Sequence, residues 1–113
     1  MLSILLPVYN CSCVALVTEL QRQCVECKVD FEIIVADDGS LSGAIGMNTA
    51  CQHLIDENKV IEHLKGVRYI IREKNVGRSA IRNFLVSQSK GEKILFIDGD
   101  LSLDNPSFIH NYL

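Results

Sequence analysis

The sequence predicts an α/β fold of the Rossmann-like αβα type, a mostly parallel sheet covered by helices, and three observations carry that expectation. Apolar runs alternate with amphipathic stretches four times, the pattern of βαβ units. The runs at residues 2–8, 31–36 and 94–97 are near-continuous in apolar residues, as expected of strands buried on both faces. Each of these runs ends in a polar turn: Tyr9-Asn10, Asp37-Asp38-Gly39-Ser40 and Asp98-Gly99-Asp100. Open α/β sheets bind ligands at the edge where such turns collect.

The elements follow in order. After the first strand, Asn10 or Ser12 could cap a helix whose apolar positions Val14, Val17, Leu20, Cys24 and Cys27 recur every three or four residues. The second strand, over 31–36, is stopped by the turn Asp37-Asp38-Gly39-Ser40, in which glycine can take positive φ. Residues 42–64 contain a helix with Ile45, Ala50, Leu54 and Ile61 roughly in phase, closed by Gly66. A short β-branched strand at 67–71 leads to a polar loop at 72–76. A helix over 77–89 then presents Ala80, Ile81, Phe84 and Leu85 to the core. Beyond the last acidic turn, Asn105-Pro106 reads as the cap and first position of a helix over 107–113.

With 113 residues the chain is one domain, large enough for a core but short for an enzyme that must hold two substrates. A net charge of −3 and a pI near 5.5 lack the basic footprint of a nucleic-acid binder. A phosphate ester would need local arginines, backbone amides or a cation to offset this acidity. The run at 2–8 is too short to span a bilayer and lacks the flanks of a signal peptide. Five cysteines, an odd number without an export signal, fit a reducing compartment, so the expected location is the cytoplasm or the inner face of the membrane. Four of them could suggest zinc through Cys11-x-Cys13 and Cys24-x-x-Cys27, but Cys24 and Cys27 fall on the apolar stripe of the first helix. His53, His63 and His110 have no ligand-type partner at a recognisable spacing.

Asp98 and Asp100 sit two apart at the end of a strand, where side chains can converge on one cation. A hard ion such as Mn²⁺ or Mg²⁺ takes one or two protein carboxylates and completes its shell with phosphate oxygens and water. Asp-Gly-Asp is also a common turn, so the pair alone leaves both readings open. Arg78 and Arg82, four apart, could form an anion-facing stripe with Lys74, or be solvated helix charges. Tyr9 could face a base or close the first strand, and Asp37 could serve a ligand or its own turn. There is no Walker A or Gly-x-Gly-x-x-Gly loop.

The order Pro7-Val8-Tyr9-Asn10, Asp37-Asp38-Gly39-Ser40, Asn75-x-Gly77 with Arg82-Asn83, and Asp98-x-Asp100 resembles the nucleotide-sugar-binding half of family 2 glycosyltransferases with the GT-A fold. The resemblance spans essentially the whole chain. It implies that Pro7 and Tyr9 border the uracil or other base, that Asp37 accepts from the base, and that Asp38 lies near the ribose. It further implies that Arg82 lies beside the nucleotide, with Asn75 and Gly77 shaping the loop beneath it. Asp98 would approach the ribose or donor sugar, and Asp100 would ligate Mn²⁺ or Mg²⁺. The implied reaction is inverting transfer from a nucleotide sugar, UDP-linked, to a saccharide, lipid-linked sugar or protein acceptor. Leu41-Ser42-Gly43 departs from the family pattern, in which an acidic residue often follows the first acidic turn, and Ile81 replaces its usual alanine. The resemblance places the general base and acceptor site beyond Leu113, and a sheet left uncovered would favour self-association. The rival expectation is a non-catalytic α/β module that binds a nucleotide or a partner.

Overall fold

In the computed structural model, which describes residues 1–40 and 49–113, four parallel strands form one sheet in the order β3-β2-β1-β4. The elements are β1 (Leu2–Val8), α1 (Val14–Glu26), β2 (Phe31–Asp38), α2 (Thr49–Asn58), a 3₁₀ turn (Lys59–His63), β3 (Val67–Arg72), α3 (Arg78–Gln88), β4 (Lys93–Phe96) and α4 (Phe108–Tyr112). Two crossovers step outward from β1 through β2 to β3. The next returns the chain to the opposite side of β1, so the order reverses there. Such a reversal opens a crevice at the carboxyl ends of the strands.

Side-chain alternation divides the core into two layers. Leu2, Ile4, Leu6 and Val8 of β1 point to the face covered by α1, the 3₁₀ turn and α4, where Leu20 and Ile109 pack against them. Leu5 of β1 with Ile34 and Ala36 of β2 points to the other face, covered by Ile81 and Leu85 of α3. Burying each such Leu or Ile side chain is worth about 1.5–3 kcal/mol. α3 touches both central strands, which fixes where its first turn lies relative to the sheet edge.

Several expectations are corrected by the structure, the first of them by long-range contacts. Ser12 does not cap α1; its hydroxyl donates to Glu57 at 2.9 Å, and Cys13 holds the cap position. The buried Asn58 performs the tying role instead, accepting from the Cys13 N–H at 2.9 Å and donating to the Cys11 carbonyl at 3.0 Å. β4 is not buried on both faces. It lies at the sheet's edge beside β1, with Ile94 exposed and Leu95 and Phe96 half-buried. Ala80 is exposed, while Ile81 and Leu85 carry the buried face of α3. α4 begins at Phe108, and Asn105 shapes the turn before it by accepting from the Ser107 N–H. Ile45 lies outside the described residues. Leu54 is half-buried, and Ile55 and Asn58 are buried in α2. Cys13 and Cys24 are packed in the core, where burial pushes both thiols up to about 12. No helix among the described residues is long and apolar enough to cross a membrane.

Candidate functional site

The three polar turns meet at the carboxyl edge of the sheet, around a cleft of about 580 Å³. The turn after β1 forms one wall. Pro7 and the exposed Tyr9 line the cleft, and Asn10 follows with φ +52°, a left-handed conformation that asparagine tolerates. Its N–H donates to Ser40 Oγ at 2.9 Å, which ties this turn to the one after β2. Cys11 also lines the cleft. Burial holds its thiol above the usual value, with the charges of Asp100 and Asp37 acting in the same direction and a backbone hydrogen bond at Tyr9 opposing them.

The two carboxylates ending β2 have different partners. Asp37 is buried and accepts from the Ser40 N–H at 2.7 Å and the Ser40 hydroxyl at 2.6 Å. It does not line the cleft. Asp38 does, and its oxygens accept from the backbone N–H groups of Val76 at 2.9 Å and Gly77 at 3.2 Å. The Asn75 side-chain amide donates back to the Asp38 carbonyl at 3.0 Å. Gly39, with φ +74°, lets the two segments touch, since a Cβ there would lie 2.1 Å from the Asn75 nitrogen. The Asp-Asp-Gly-Ser turn is thus clasped to the loop that starts α3, and Asn75, Gly77 and Arg78 border the cleft from that side.

The remaining wall is the turn after β4. The strand ladder continues past β4, with the Gly99 N–H donating to the Pro7 carbonyl at 3.2 Å. A Cβ on Gly99 would come within 2.9 Å of that carbonyl oxygen and 2.7 Å of a Val8 methyl, so the residue between the two aspartates is pressed onto β1. Asp98 and Asp100 are exposed and both line the cleft. Among the described residues, neither carboxylate accepts a hydrogen bond. Two available carboxylates suit a hard divalent cation that draws its other ligands from water and a bound anion.

Of the residues singled out from the sequence, Pro7, Tyr9, Asp38, Asn75, Gly77, Asp98 and Asp100 come together around the cleft. Asp37 lies behind it. Arg82 is not in its lining, and its guanidinium stands over the Phe96 ring, 4.8 Å from the centroid. Arg78 is in the lining, although helical spacing could not separate it from Arg82. As a residue by itself Ser40 was missed, and its place three residues after Asp37 in the turn was the available signal.

A chain with this architecture has known counterparts. Its fold is shared with S. aureus TarS, at a TM-score of 0.64 and 23% identity over 98% of this chain and 30% of that one. It is shared too with the mannosyltransferase PcManGT from Pyrobaculum calidifontis, whose structure holds GDP-Man and Mn²⁺, at a TM-score of 0.59 and 17% identity over 97% of this chain and 30% of that one. An uncharacterized glycosyltransferase of Haemophilus influenzae is 29% identical over 104 residues, 88% of this chain and 36% of the relative. The chain therefore spans about a third of the length of these relatives. The sheet and its helices are those of the Rossmann-like GT-A fold. The family model for glycosyl transferase family 2 matches residues 3–109, nearly the whole chain, and the protein belongs to that family.

Proposed function

We propose that this chain is the donor-binding portion of a metal-dependent, inverting glycosyltransferase and that the cleft receives a nucleoside diphosphate sugar, UDP-linked. The observation that carries the reading is the meeting of an exposed aromatic ring, a hydrogen-bonding loop and two uncommitted carboxylates around one cleft at the reversal point of the sheet. In this reading Tyr9 and Pro7 offer an apolar border to the base. Asp38, not Asp37, is the carboxylate of its turn that faces the nucleotide, and Asp37 acts through Ser40 to hold the Tyr9-Asn10 turn in place. Asn75 and Gly77 shape the floor under the ribose.

Asp100, with Asp98, would hold Mn²⁺ or Mg²⁺. When bound, such an ion supplies Lewis-acid stabilisation for the departing nucleoside diphosphate. The solved relative that contains GDP-Man and Mn²⁺ supports this pairing of ligand and ion. Arg82, held over Phe96, stiffens the junction of α3 with β4 beside the cleft. In this reading the cleft accounts for the donor alone, and the relatives that the chain resembles are about three times as long.

Calorimetric titration of UDP and GDP with Mn²⁺, then with EDTA, then with the Asp100→Ala variant tests the reading. Binding that needs both the ion and Asp100 is expected. Binding indifferent to EDTA and to the substitution would sink the metal assignment, and no binding at all would favour a non-catalytic module.

A further inference from the structure

We infer that Arg78 is the anion-recognising side chain of the cleft, donating to a phosphate oxygen of the donor's diphosphate from the α3 wall. The inference rests on the donor-binding reading above and adds a ligand contact to it. Three carboxylates line the cleft, those of Asp38, Asp98 and Asp100. A diphosphate entering there meets like charge on both sides. A cation at Asp98 and Asp100 would offset one side only. The Asp38 charge, on the side of α3, is met by two backbone N–H groups but by no Lys or Arg side chain among the described residues.

Arg78 stands in the position to balance it. It is the first residue of α3, directly after the Gly77 amide that Asp38 binds, and it is the one Lys or Arg in the described lining of the cleft. The other arginines are engaged elsewhere. Arg22 pairs with Glu19 and Glu26, and Arg68 bonds the Gln88 side chain. Arg72 stands over Phe84 and Arg82 over Phe96. Arg78, exposed, has no ion pair, ring or hydrogen-bond partner among the described residues. A guanidinium offers forked donors matched to phosphate oxygens, which an ammonium does not. Its backbone is anchored through Gly77 and Asp38, so the side chain swings from a fixed root.

The test titrates UDP and GDP, their monophosphates and their nucleosides, with Mn²⁺ present, into the wild-type protein and into Arg78→Gln and Arg78→Lys. Matching circular dichroism and melting curves establish that the variants fold, as an exposed position predicts. Arg78→Gln is expected to weaken diphosphate binding by about 10- to 100-fold, the scale of one charge-assisted hydrogen bond. Nucleoside affinity stays unchanged, and Arg78→Lys recovers part of the loss. If Arg78→Gln binds the diphosphate as tightly as wild type while Asp100→Ala does not, the inference falls and the donor-binding reading stands. An equal loss for nucleoside and diphosphate also overturns it, because a general disturbance of the cleft would then be the cause. If the wild-type protein binds none of these probes, the donor-binding reading fails and this inference falls with it.

Discussion

Two acidic turns of similar composition stand at the same edge of the sheet and use their carboxylates in opposite ways. In Asp37-Asp38-Gly39-Ser40 both carboxylates are engaged by donors within the protein, although Asp38 also lines the cleft. Asp37 takes both donors of Ser40, and Asp38 takes the amides of Val76 and Gly77. In Asp98-Gly99-Asp100 the backbone between the carboxylates is pinned to β1, while the carboxylates themselves remain exposed. The first turn is a clasp joining three segments, and the second is a presented pair of ligands. The contrast shows that acidic residues in a turn report function only once their hydrogen-bond partners are known. Buried carboxylates without donors would be costly, so their partners are structural by necessity.

Breaking the clasp should be the costliest change. Gly39→Ala would place a methyl group 2.1 Å from the Asn75 nitrogen and 2.3 Å from the Lys74 carbonyl carbon, both backbone atoms, at φ +74°. A loss of about 3 kcal/mol or more is expected in urea denaturation, since steric and left-handed backbone costs add. An unchanged midpoint would mean that the loop at 74–77 does not rest on this turn. Asp38→Ala comes next. It leaves two backbone donors without acceptors at a cost of about 2–3 kcal/mol, and Asp38→Asn, which keeps one acceptor oxygen, should fall between. Amide exchange at Val76 and Gly77 should accelerate in the same order. If those amides stay protected, the clasp is made by something other than the carboxylate.

Much of the scaffold was legible from the residues because its signals are local. The strands announce themselves as continuous apolar runs, and the turns as Asp, Gly, Asn and Ser clusters. Two of the failures involve partners distant in sequence. Ser12 looks like a helix cap, yet Glu57 and Asn58 reorganise that corner from 45 residues away. The run that ends at Asp98 looks doubly buried, yet whether a strand is central or at an edge depends on sheet order. In the site, the types of residue were readable and their roles were not. Asp37 and Asp38 are neighbours in sequence, and only the distant loop at 75–77 decides which one faces the cleft. Arg78 and Arg82 share a helix face, and only Phe96 of β4 separates the engaged arginine from the available one.

The smallest effect sharpens the contrast most, because one side chain senses both turns. The Cys11 thiol is held up chiefly by burial, and the charges of Asp100 and Asp37 raise it further. Asp100→Asn removes one of those charges without removing a packing partner or a hydrogen bond within the described residues. Stability should therefore change by less than about 0.5 kcal/mol. With less negative charge nearby the thiolate is less disfavoured, so the Cys11 pKa moves down and more thiolate is present at pH 8. Iodoacetamide should then label Cys11 faster in the variant than in the wild type. Cys13 and Cys24, pushed up to about 12 and packed in the core, should remain slow in both and serve as internal references. Faster labelling of all three would show that the fold had loosened, and Asp100 would then belong to the scaffold. A selective rise at Cys11 with an unchanged urea midpoint would show that the charge of Asp100 reaches the cleft while contributing nothing to the fold, as a presented ligand must.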